Sequence, residues 1–109
     1  MTIHSVAAVY SQPTVTLRPW LILECTNGAR YATGWCVENR EGRASTPLVD
    51  FDAKSMRLRS TSGRTYQLNG PPGLDADAAY VWREYARLNR LTVARDVTAS
   101  TTPAWGPSY

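Results

Sequence analysis

Ser55-Met56-Arg57-Leu58-Arg59-Ser60-Thr61-Ser62-Gly63-Arg64-Thr65-Tyr66-Gln67-Leu68 is the stretch that decides the fold. On either side of Thr61–Gly63, apolar and polar residues alternate with a period of two, the mark of a strand with one buried face. Met56 and Leu58 point inward, Arg57 and Arg59 outward. The turn length follows from where Tyr66 and Leu68 must go. A two-residue turn at Ser62-Gly63 sets Leu58 opposite Gln67 and mixes the faces. A three-residue turn, Thr61-Ser62-Gly63, sets Leu58 opposite Tyr66 and Met56 opposite Leu68. A slip of one residue inverts every side chain, so the three-residue turn is predicted, with Gly63 in the left-handed position of a G1 bulge.

Upstream, Leu48-Val49-Asp50-Phe51 reads as a short strand and Asp52-Ala53-Lys54 as a turn. Asp50 and Asp52 bracket Phe51 and read as turn and surface residues. Residues 39–47 are polar and broken by Gly and Pro, and read as a long, contact-carrying loop. Before them lie two β-compatible runs, Trp20–Cys25 and Ala29–Glu38, separated by Asn27-Gly28. Asn-Gly is the signal for a two-residue type I′ turn. That turn pairs Glu24 with Tyr31, Ile22 with Thr33 and Trp20 with Trp35. It places Gly34 opposite Leu21, a sign of a tight bend or of close approach by another strand. Cys25 then faces Arg30, and Cys36 lies roughly 20 Å further along at about 3.3 Å per residue. No disulfide spans that gap, so both cysteines read as small apolar core residues.

Downstream, Pro71-Pro72-Gly73 halts the sheet, and Asp75 and Asp77 signal a helix start. The helix is predicted over 75–91, with Ala78, Val81, Trp82, Tyr85, Leu88 and Leu91 as its apolar stripe. Arg83, Arg87 and Arg90 line the other face. The chain divides into an N-terminal arm over 1–18, either flexible or a late-docking edge strand, one folded domain over 19–91 with its strands within 19–70, and a flexible or docked tail over 92–109. Trp105 and Tyr109 stand out in that tail.

The fold class that follows is α+β and mainly antiparallel β. It is either a small SH3-like barrel or a strongly bent sheet of four to five strands, followed by one C-terminal helix; an open antiparallel sheet with the helix across one face is the alternative. Trp20, Trp35, Phe51, Tyr66, Trp82 and Tyr85 supply the bulk that so small a core needs. The 109 residues are 43% hydrophobic and 19% charged, the balance of one ordinary globular domain. No apolar run approaches the about 18 residues of a membrane span. The first residues lack the basic and apolar regions of a signal peptide, so a cytoplasmic, membrane-independent location is expected.

Chemistry is sparse. One His and two Cys do not make a metal site, and no nucleophile elbow, phosphate loop or dinucleotide motif occurs. The expectation is a non-enzyme with no cofactor and no metal. Eleven of the twelve basic residues are Arg, and the net charge is +3. Two basic surfaces stand above background. One is the hairpin carrying Lys54, Arg57, Arg59 and Arg64, interleaved with hydroxyls that suit phosphate or carboxylate. The other is the helix face with Arg83, Arg87 and Arg90. In the tail, Trp105 and Tyr109 dock on their own domain, on a second protomer, or on a partner.

The segment from Thr61 to Gly73, followed by Tyr80-Val81-Trp82, resembles small proteins encoded by phages and prophages of proteobacteria. These share the pattern SGR-x-Y-x-L-x-G before an Asp- and Trp-containing helix. The resemblance covers about residues 20–91. Its motif residues are turn glycines and core aromatics, so they imply a fold and no activity. Genes of this size on mobile elements often encode inhibitors of host defences, such as anti-CRISPR proteins. The functional expectation is therefore a protein-binding module, such as an inhibitor that covers the surface of a CRISPR effector. A small nucleic-acid-binding barrel using the Arg-rich hairpin is the alternative.

Overall fold

The first long strand changes its inward parity halfway along, and the architecture follows from that change. The structure, a computed structural model, describes residues 12–52 and 54–98. Strand β1 (Thr14–Cys25) starts with Val15 and Leu17 buried and continues with Trp20 and Ile22 buried. A bulge between Leu17 and Trp20 makes the switch. Pro19 sits in the bulge and has no N–H to give to a ladder, which suits it to such a break. The remaining elements are β2 (Arg30–Cys36), β3 (Glu41–Ala44), β4 (Leu48–Asp52), β5 (Arg57–Ser60), β6 (Thr65–Leu68), α1 (Ala76–Leu88) and β7 (Val93–Asp96).

They form one 7-stranded sheet in the order β3-β2-β1-β6-β5-β4, with β7 added to β1. The pairings are antiparallel except β1 with β6, which is parallel. The fold is thus mainly antiparallel β with a helix packed on it. The sheet is not closed into a barrel, and it has seven strands, not four to five, because β3 and β7 form in segments that read as loop and tail. Ser45–Pro47 alone separates the two edge strands β3 and β4 in sequence.

Two apolar clusters lie on opposite faces. The inner one holds Val15, Leu17, Trp20, Ile22, Ala32, Cys36, Leu58, Tyr66, Leu68 and Val97. The other lies under the helix, where Tyr31, Cys25 and Trp82 pack with Leu23, Ala44, Tyr85 and Leu91. Trp82 meets Tyr31 at 5.4 Å between ring centroids, and anchors the helix as its mid-stripe position predicts. Asp75 caps the helix, its carboxylate accepting from the Ala78 amide at 3.0 Å.

Two glycines let the layers close. A Cβ on Gly34 would lie 2.3 Å from the Pro19 carbonyl oxygen, and one on Gly42 would lie 2.4 Å from the Asp77 carbonyl carbon. The close approach expected at Gly34 is therefore present, against the β1 bulge. At Gly42 the first turn of the helix rests directly on strand backbone.

The second hairpin forms as predicted: Leu58 faces Tyr66, and Gly63 has φ of +92°. The first does not. Its register is Trp20 with Gly34, Ile22 with Ala32 and Leu23 with Tyr31. The turn is Thr26-Asn27-Gly28, one residue longer than the Asn-Gly signal implies. Both cysteines remain buried and unbridged.

Other expectations are corrected. Residues 14–18 belong to β1 and carry core side chains, so the arm does not extend to 18. Residues 41–44 of the expected loop are β3, paired with β2. The helix stops at Leu88, not 91, and β7 follows it, so the helix does not end the fold. Val97 is buried in the inner cluster, so the start of the tail is docked. Leu88 is 65% exposed. At about 100° per residue it lies about 120° around the helix from Trp82, off the buried stripe.

Candidate recognition surfaces

The outer face of β4, β5, β6 and β1 is built from the residues that alternate with the inner core. Cross-strand register arranges them in two rows. One runs Asp50, Arg59, Thr65, Thr14; the other runs Asp52, Arg57, Gln67, Thr16. Asp50, Asp52, Arg57, Arg59 and Thr14 are exposed. Along the rows the side chains are linked. Arg59 lies 3.6 Å from the Asp50 carboxylate, and Arg57 Nε donates to Gln67 Oε1 at 2.8 Å. At the far end, Glu38 accepts from the Thr16 amide and hydroxyl, both at 2.7 Å. Burial alone would raise the Glu38 carboxyl, but these bonds outweigh it and hold its pKa below the usual range. Asp52 is also held low, by the neighbouring Ser55 hydroxyl and by a hydrogen bond from the Lys54 amide at 3.0 Å.

This arrangement revises the basic hairpin. Lys54, Arg57 and Arg59 are exposed as expected. Arg64 is 6% exposed and points inward, its Nε donating to the Gln12 carbonyl at 3.1 Å. The reason is register: Arg64 lies opposite Ser60, on the face of Leu58 and Tyr66. The carboxylates of β4, read in sequence as turn residues, stand directly across from two of the three remaining cations. Their two-residue spacing was the available signal; the strand pairing that gives it meaning is not local.

The helix face is more diffuse. Arg83 lies over the Tyr80 ring at 5.9 Å. Arg87 pairs with Glu84 at 2.7 Å, which raises its pKa first through that hydrogen bond and then through the carboxylate's charge. Arg90 is in the left-handed conformation just past the helix end, with φ of +56°. The hairpin cations sit on the sheet's outer face, whereas these three belong to the helix that covers β2 and β3. Trp105 and Tyr109 fall outside the described residues.

Burial pushes up both cysteine thiols, Cys36 despite the nearby Arg43 charge and a backbone hydrogen bond at Asn39. Among the described residues, no three His, Cys, Asp or Glu side chains gather into a metal-holding group, and no helix is long and apolar enough to cross a membrane. Comparison with protein-family models, with characterised proteins and with solved structures finds no match.

Proposed function

We propose that the chain is a non-enzymatic binding module whose recognition surface is the outer face of β4, β5, β6 and β1, and that its partner is a protein. One observation carries this reading: Asp50 stands opposite Arg59 and Asp52 opposite Arg57. Directly paired residues in such a ladder are about 5 Å apart. A nucleic-acid backbone brings only negative charge, so each Arg that attracts a phosphate sits beside a carboxylate that repels it. A protein surface can offer both signs in a matching lattice, the kind of complementarity that fixes register and excludes wrong partners. The hydroxyl and amide groups of Thr14, Thr65 and Gln67 extend the face with adaptable hydrogen bonds. A nucleic-acid-binding role for the hairpin loses support because Arg64 is turned inward.

The narrower reading, an inhibitor that covers a host defence complex, is supported by the resemblance of the motif residues to phage-encoded proteins alone. Expression beside an active CRISPR system, with phage plating as readout, tests it.

Charge reversal tests the surface. Proteins cross-linked by the wild type should be lost with Arg57→Glu plus Arg59→Glu while the thermal melt holds. Adding Asp50→Arg and Asp52→Arg should not restore them, because the lattice is then inverted. Gel shifts with duplex DNA and single-stranded RNA at low salt should show no complex. A complex whose affinity falls steeply with salt would replace the protein partner with a nucleic acid.

A further inference from the structure

We propose that the inner face carries a small-oxyanion site where Arg43, Arg64 and Tyr66 converge, taking a phosphate or a carboxylate. On β3, Gly42 and Ala44 lie against the helix, so alternation turns Glu41 and Arg43 inward. Arg43 is 5% exposed. Its Nη2 donates to Glu41 Oε2 at 3.0 Å, while Nη1 is buried and has no acceptor. A guanidinium does not shed its proton at any physiological pH, so a charged donor is held away from water with half its fork unused.

Arg64, the residue before β6, brings a second buried guanidinium. The Tyr66 hydroxyl hydrogen-bonds with the side chains of Ser60 and Arg64, and lies within electrostatic reach of Arg43. Three strands, β3, β5 and β6, thus bring two buried cations, a phenol and a hydroxyl to one region. Glu41 is the carboxylate paired with Arg43 there. Glu38, the other acidic group near Cys36 and Arg43, is taken up by Thr16.

Among these groups Arg43 Nη1 is a buried, charged donor left without an acceptor. An oxyanion supplies that acceptor, since its oxygens match the planar fork of an arginine and another can meet the phenol. Glu41, with 24% of its side chain exposed, borders solvent and marks the way in. This site is on the opposite face of the sheet from the proposed recognition surface and does not depend on it.

The test is a set of thermal melts in sodium phosphate, sodium acetate and sodium chloride at matched ionic strength, with NMR of ring-labelled tyrosine. Phosphate or acetate should raise the melting temperature to a plateau and shift the Tyr66 ring signals; chloride should do neither. Which of the two acts identifies the ligand as phosphate-bearing or carboxylate-bearing. Arg43→Met should abolish the response. Tyr66→Phe keeps the ring in the core and removes only the hydroxyl, so affinity should fall about tenfold, the worth of one hydrogen bond. Should Arg43→Met fail to fold, Tyr66→Phe alone decides. A rise without a plateau, an equal rise in chloride, or unaltered affinity in Tyr66→Phe overturns the site.

Discussion

The two glycine turns close their hairpins in the same way, yet only one could be read from its residues. In Thr26-Asn27-Gly28 the Gly28 amide donates to the Cys25 carbonyl and the Cys25 amide to the Ala29 carbonyl, both at 2.9 Å. In Thr61-Ser62-Gly63 the Gly63 amide donates to Ser60 at 2.9 Å and the Ser60 amide to Arg64 at 3.0 Å. The glycine φ values are +86° and +92°. The difference lies in what flanks each turn. Around Gly63 one strand face is apolar and the other charged, so a wrong register would bury Arg57 and Arg59 and expose Leu58. Around Gly28 both faces are covered. Tyr31, Ala32, Thr33 and Gly34 are all buried, because the inner core takes one face and the helix the other. A strand buried twice has no alternation to read, and the Asn-Gly pair then suggests a turn one residue too short.

Removing the cover on the second face is the strongest way to break this comparison. Trp82→Ala takes away the residue that packs on Tyr31 and Tyr85. We expect it to cost about 3–5 kcal/mol in urea unfolding, as large-to-small changes of buried aromatics do. That is most of the stability of so small a domain. Amide exchange should quicken first in β2 and β3. A near-native midpoint would mean that the helix does not hold the first hairpin, and that the double burial of β2 has another cause.

The same distinction explains what was legible elsewhere. Fold class, the register of β5 with β6, the cap at Asp75 and the anchor at Trp82 each follow from local pattern. The strand at Glu41–Ala44 does not. Its four residues, Glu-Gly-Arg-Ala, have no β-branched or aromatic member, and Gly42 is there for the helix backbone to rest on. The two buried arginines are equally hidden: Arg64 reads as an exposed cation because its neighbours are polar, and Arg43 lies inside an apparent loop. Asp50 and Asp52 were visible as a pair, but their pairing with Arg59 and Arg57 exists only once β4 lies beside β5.

A smaller effect separates turn from flank. If the two turns are equivalent, Gly28→Val and Gly63→Val should cost similar amounts, about 1–3 kcal/mol each, from forcing a β-branched residue to positive φ. At Gly28 no atom lies within 4 Å of a built Cβ, so the cost there is backbone strain alone. Denaturation midpoints of the two variants measure it. A neutral Gly28→Val would show that the first turn differs in kind from the second.

The smallest effect is expected where an arginine does what those glycines do. The helix ends in a Schellman arrangement: the Leu91 amide donates to the Ala86 carbonyl at 2.8 Å and the Arg90 amide to Arg87 at 3.3 Å. The residue between, Arg90, has φ of +56°, a place where glycine is the usual occupant. Without a glycine there, the sequence pattern runs on to Leu91, which the motif instead folds back under the helix beside Tyr85 and Ala86. Arg90→Gly relieves the left-handed strain and adds some unfolded-state entropy, so the net gain should be about 0.5 kcal/mol. A rise of this size in the unfolding midpoint makes Arg90 a tolerated helix stop, equivalent to Gly28 and Gly63. A fall means that its guanidinium contributes more to the folded state than its backbone costs. In that case partner cross-linking with the same variant shows whether this arginine also belongs to a recognition surface.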